Sequence, residues 1–272
     1  MANNDSALGR VMLLVVTLIG IFLVGFLIFG LPGRVPSGQV AAKPTPDQVL
    51  QRLRDGNDRF SSGKPAYPHG DPARIARAAT SDQANHAYAT VLSCSDSRVP
   101  VELIFDAGIM DLFVVRVAGN VCDTDEIGSI EYGLAHVKTP LLVILGHTRC
   151  GAVTAVSQAV EGHGHKLERN IPPLVDNIVP AVKRAIEQHP GLHGEAIVPF
   201  AIEENVWQAV EDLFMKSPAV RTLVQQGKVK IVGAIYDLAT GKVAWLPQAN
   251  VGETLSRVEA SPGRETEAFQ NP

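Results

Sequence analysis

"PLLVILGHTRCGAV", residues 140–153, decides how this chain folds. Leu141 to Leu145 is a short apolar run without polar alternation, the pattern of a strand buried on both faces of a parallel sheet. The run ends in His147, and Cys150 follows three residues later at the mouth of a helix, "CGAVTAVSQAV". Side chains able to bind a metal thus stand at the carboxyl end of a strand, where open α/β sheets hold their ligands.

A second stretch upstream has the same design. Ala87 to Leu92 is another apolar run, and "SCSDSRVP" (93–100) brings Cys94, Asp96 and Arg98 into the turn that follows it. Leu112 to Val117 reads as a further buried strand, and "EIGSIEYGLAHVK" (126–138) has the helical period between it and the Leu141 run. This β-α-β order implies parallel strands joined by right-handed crossovers. Downstream, 205–227 reads as helix, and "VKIVGAIYDLATGKVAWL" (229–246) reads as strand, Thr-Gly turn and strand. The expected class is α/β, a mostly parallel central sheet flanked by helices.

The amino-terminal part is different. Val11 to Gly30 carries no charge over about 20 residues, the length a helix needs to cross a hydrocarbon core. A cleaved signal peptide is the competing reading, but a small-residue cleavage site follows too far on, at Ala42. The chain therefore divides into a short segment (1–10), one transmembrane helix (11–30), a Pro/Gly/Ser-rich tether (31–44), a folded domain (45–252) and a flexible tail (253–272). The flanking Arg10, Arg34 and Lys43 nearly cancel under the positive-inside rule. The location expected for the domain is extracytoplasmic. Thr45, Pro46 and Gln48 are the N-cap, first-turn proline and box residue of the opening helix, which is expected to end at Gly56.

With 24 basic and 28 acidic residues the net charge is -4, so the chain lacks the basic footprint of a nucleic-acid binder. Three cysteines make no disulfide framework in a chain of this length. Two thiols and an imidazole, in Cys94, Cys150 and His147, form a donor set suited to zinc, and three protein ligands leave a fourth position open for chemistry. Asp96 could reach that position as a fourth ligand, or pair with Arg98 beside the metal. Cys122 is expected as a buried spectator, and His163 and His165 as residues of a solvated Gly-rich loop.

"CSDSRVP" and "HTRCGAV", about 50 residues apart, resemble the two zinc-binding motifs of β-class carbonic anhydrases. "GNDRF" (56–60), "IFDAGIMDLFVVRVAGN" (104–120), "GSIEY" (128–132) and "IVGAIYDLATGKV" (231–243) extend the resemblance over roughly Val49 to Leu246. It implies Zn²⁺ on Cys94, His147 and Cys150, Asp96 and Arg98 as the adjoining dyad, and hydration of CO2 to bicarbonate by zinc-bound hydroxide. Backbone near Gly151 would steady the developing bicarbonate. The family often carries Gln nine residues before the first cysteine; here that position is Asn85, a shorter amide expected to reach substrate at most through water. A homodimer or tetramer is also implied. Three other readings stay open: hydrolysis of CS2 or COS on the same fold, a non-catalytic membrane-tethered zinc protein, and a redox disulfide between Cys94 and Cys150.

Overall fold

The computed structural model describes residues 43–267. The expected transmembrane helix at 11–30, the segment before it and most of the tether lie outside the described residues. Among the described residues no helix is long and apolar enough to cross a membrane.

The helices that frame the sheet are, in chain order, α1 (Pro46–Ser61), α2 (Pro72–Ala78), α3 (Thr124–Glu131), α4 (Gly151–Val160), α5 (Val179–Gln188), α6 (Val198–Lys216), α7 (Pro218–Gln225) and α8 (Ala249–Glu259). The strands are β1 (Ala89–Cys94), β2 (Leu112–Val117), β3 (Leu141–His147), β4 (Lys230–Tyr236) and β5 (Val243–Trp245). They form one sheet in the order β2-β1-β3-β4-β5. The first four are parallel, and β5 returns antiparallel to β4 after the Thr-Gly turn, as its sequence predicts.

Every residue of β1 and β3 is buried, so the central pair needs apolar side chains on both faces. β1 runs on to Cys94, two residues beyond the apolar run, because Cys94 pairs in register with Val117. β2 corrects the sequence reading: it is half-buried along most of its length, since it is the outermost strand and, among the described residues, no strand pairs with its other flank.

The opening helix also runs further than predicted. Its capping box is present, the Thr45 N–H donating to Gln48 at 2.9 Å and the Gln48 N–H to Thr45 Oγ1 at 3.3 Å, but α1 passes through Gly56 to Ser61. Gly56 is a packing glycine: a Cβ there would stand 2.0 Å from the Phe105 carbonyl oxygen. That approach lets buried Asn57 donate to the carbonyls of Ile104 (3.1 Å) and Gly241 (2.9 Å) and accept from the Val243 N–H (2.8 Å), tying α1 to the sheet edge.

Two domain boundaries shift. Lys43, placed in the tether, donates through Nζ to the carbonyls of Ala87 and Val137, so it is already anchored on the folded domain. Of the tail expected over 253–272, Glu253 to Glu259 is instead the continuation of α8, and residues 268–272 lie outside the described residues. Its Val251, Leu255 and Val258 form an apolar stripe that packs on the core beside α6. Beyond it, the Glu265 N–H donates to the Met215 carbonyl and the Glu265 carbonyl accepts from Arg221. The helix predicted over 126–138 begins at Thr124, capped by Asp123, and widens at Tyr132–His136 into a π-type turn.

Candidate metal centre

Chain order runs from β1 outward to β2 and then back across to β3, so the strand connections diverge between β1 and β3. The crevice at that divergence is the natural ligand site of an open parallel sheet. Cys94 closes β1, His147 closes β3 and Cys150 caps α4, which places all three side chains at this edge. Their ligand atoms lie within 4.8 Å of one another. Exposure is 5 % for Cys94, 0 % for His147 and 1 % for Cys150, so bulk water does not satisfy these groups.

The imidazole shows how the cluster is meant to be completed. His147 Nδ1 lies 3.0 Å from the Thr148 carbonyl oxygen, a contact that requires Nδ1 to carry the proton and donate. The Nε2 lone pair then has no hydrogen-bond partner among the described residues, and it is fully buried. An orphaned buried acceptor costs about 1–3 kcal/mol, and a metal ion is a partner that this nitrogen and the two sulfurs could share. The Cys94 thiol is pulled down to about 4 by the hydrogen bond from Cys150, and the same bond, with burial, pushes the Cys150 thiol up. The Cys94 sulfur is the one biased toward the thiolate. The Gly119 and Asp96 amides, at 3.3 and 3.4 Å from Cys94 Sγ, stabilise that charge.

Asp96 stands beside the ligands, its Oδ2 3.9 Å from His147 Nε2, and is gripped from the far side by Arg98. Nε of Arg98 donates to Oδ1 at 2.9 Å and Nη2 to Oδ2 at 2.6 Å, while the Arg98 backbone N–H donates to Oδ1 at 2.9 Å. The Arg98 guanidinium holds the Asp96 carboxyl well below the usual carboxylate range. Arg98 also reaches the Arg149 carbonyl at 3.3 Å, linking the two motif turns. This fork-on-fork geometry fixes direction as well as charge.

Gly151 opens α4 and lines a cleft of about 710 Å³ with Arg98, Thr148, Arg149 and Thr154. Asn85 is not brought to the site within one chain. It lies exposed in the turn before β1, at the opposite end of the strand from Cys94, and the six-residue strand alone spans roughly 17 Å. Cys122 is fully buried in the core around α6, its thiol pushed up by burial, and stands outside the metal cluster. His163 and His165 are exposed loop residues, as expected. All three cysteines are free thiols.

Three residues that carry the site were not singled out from the sequence. Arg116 on β2 donates to the carbonyls of Cys94 (3.0 Å) and Asp96 (2.7 Å) and so holds the turn between them. Gly119 supplies the amide on the Cys94 sulfur, and Asn205 of α6 donates to the Gly119 carbonyl at 2.7 Å. "AGN" at 118–120 signals a tight turn; nothing local in α6 announces Asn205.

The family model described as carbonic anhydrase matches residues 89–243. A carbonic anhydrase of Mycolicibacterium smegmatis is 37 % identical over 198 residues, which cover 73 % of this chain and 92 % of that protein. Carbonic anhydrase 2 of Mycobacterium tuberculosis is 34 % identical over 211 residues, 77 % of this chain and 98 % of that protein. Among solved structures, the Coccomyxa β-carbonic anhydrase in complex with acetazolamide superposes with a TM-score of 0.58 at 21 % identity, covering 79 % of this chain and 97 % of that one. A tetrameric β-carbonic anhydrase of Sordaria macrospora gives 0.56 at 20 % identity, covering 73 % and 97 %.

Proposed function

The chain belongs to the β-class carbonic anhydrase family, and from that premise we propose that it catalyses the reversible hydration of CO2 to bicarbonate and a proton, with zinc held by Cys94, His147 and Cys150. The observation that carries the reading is the buried, unpartnered His147 Nε2 within 4.8 Å of the Cys94 and Cys150 sulfurs. When bound, the metal acidifies a water so that a nucleophile exists near neutral pH.

The protein's own groups orient that nucleophile. Asp96, kept ionised by Arg98, would accept a hydrogen bond from that nucleophile and so orient it toward CO2. Because Arg98 is shared with the Arg149 carbonyl, the carboxylate is held against both motif turns. The amide end of α4 at Gly151 faces the cleft as a partial positive charge, suited to the developing bicarbonate. Proximity of the dyad to the ligands supports hydration over a purely structural metal site, which would have no use for an ionised, rigidly aimed carboxylate.

The same proposal covers assembly and location. A homodimer or tetramer is the expected state, and the uncharged run 11–30 is read as a single membrane anchor with the catalytic residues outside the cytoplasm. The test is stopped-flow CO2 hydration by the full chain, with zinc counted on the same sample and Asp96→Ala run beside it. One zinc per chain with turnover that the variant loses supports the reading. Zinc without turnover, with hydrolysis of CS2 or COS in its place, would overturn it.

A further inference from the structure

We propose that Asn205 is a positioning residue of the metal centre, holding the Gly119 amide on the Cys94 sulfur; the inference rests on the metal reading above. Asn205 is 2 % exposed and sits on α6 among Ala201, Ile202, Val206 and Ala209, which are themselves buried. An amide placed there costs free energy unless it is bonded, and an aliphatic side chain would serve packing alone. Its Nδ2 reaches across the sheet edge to the Gly119 carbonyl at 2.7 Å.

What it holds is a turn that cannot hold itself. Gly119 has φ 75° and ψ 14°, and Asn120 follows at φ 44°, two successive residues in the left-handed region. A Cβ on Gly119 would stand 2.7 Å from Ile178 Cδ1 and 3.1 Å from Ala152 Cβ, so the position demands glycine. Glycine is also the residue with the most freedom to leave this conformation. The Asn120 side-chain nitrogen gives no local clamp, since the buried Nδ2 has no hydrogen-bond partner among the described residues. Pinning the Gly119 carbonyl from α6 fixes the turn, and the turn aims the Gly119 N–H at Cys94 Sγ, 3.3 Å away.

The chemical consequence falls on the sulfur. A hydrogen bond to a thiolate ligand withdraws charge from it, and such outer contacts tune both the acidity of the bound metal and its retention. Two thiolates donate heavily, so one amide on one sulfur changes the balance. Asn205 thereby acts on the metal from two hydrogen bonds away, through Gly119.

The experiment uses the full chain loaded with cobalt or zinc, comparing wild type with Asn205→Asp, which keeps the shape and loses the donor, and Asn205→Leu. The sulfur-to-cobalt charge-transfer band is expected to shift in both variants. Zinc release to a chelator is expected to accelerate roughly 10–100-fold, the usual cost of losing an outer-sphere contact, with the circular dichroism of the fold retained. Wild-type band position and release rate in both variants would overturn the proposal, however much thermal stability they lose. A second measurement needs no variant: in wild type loaded with cadmium-113, a scalar coupling should appear between the metal and the Gly119 amide proton, and its absence with metal bound overturns the proposal as well. Failure of wild type to bind any of these metals would instead sink the metal reading itself.

Discussion

Replacing Asn57 with Leu should destabilise the fold by about 3–5 kcal/mol. Asn57 is 4 % exposed and makes three hydrogen bonds, to the Ile104 carbonyl, the Gly241 carbonyl and the Val243 amide. Leu keeps the volume, so the loss is polar. The Ile104 carbonyl is deep, and stranding it costs about 1–3 kcal/mol. Gly241 and Val243 lie on a half-exposed turn where water can replace the amide in part, about 1 kcal/mol each. Asn57→Asp should cost more than Leu: it keeps the bond from Val243 and sets a carboxylate against two carbonyls. The assay is urea unfolding at fixed, saturating zinc, so that metal binding does not vary between variants. Hydrogen exchange should show the Val243 amide losing protection while the β1 amides change only with global stability. A loss under about 1 kcal/mol for Asn57→Leu, or a Val243 amide as protected as in wild type, would refute the idea that this side chain ties α1 to the β4–β5 turn.

Asp96→Asn removes the charge that Arg98 grips and should lower hydration roughly 100-fold or more with zinc content unchanged, as stopped-flow and metal analysis will show; near wild-type turnover would remove Asp96 from the mechanism. Burial raises the Asp212 carboxyl to about 6 from 3.8, so the folded state binds its proton more tightly than the unfolded state. Its ionisation therefore destabilises the protein as pH rises through 4 to 6, and Asp212→Asn should stabilise it by ~1–3 kcal/mol at pH 8 and by nothing below about pH 4 in denaturant titrations. Chelation of zinc should lower the thermal midpoint and open Cys94 to a thiol reagent, whereas Cys122, buried in the core, should stay unreactive until unfolding. Cys122→Ala should leave the zinc stoichiometry unchanged by elemental analysis; a loss of metal would show that the residue is more than core.

The sheet was legible because its central strands are buried on both faces and so read as uninterrupted apolar runs; Leu141 to His147 could be little else. β2 was misjudged on the same ground, since Leu112–Val117 is as apolar as β1 yet stands at the edge, and no local pattern reports which strand lacks a neighbour. Gly56 misled because a glycine that ends a helix and one that admits a carbonyl look alike in sequence; only the Phe105 oxygen tells them apart. The stripe of Val251, Leu255 and Val258 was hidden by the polar residues around it. At the site, residues adjacent in sequence were readable, and Arg116 and Asn205 were not, because their roles exist only after distant segments have met.

The donors for the metal come from two places in the chain, one at the end of β1 and two around the β3–α4 junction, with the whole β2–α3 excursion between them. His147 and Cys150 alone make a local chelate that a nascent or misfolded chain can also form. Only when β1 and β3 lie side by side does Cys94 arrive to close the set. On the proposed ligand set, metal occupancy becomes a quality check on the centre of the fold, and metal release should keep time with the rare openings that separate those two strands.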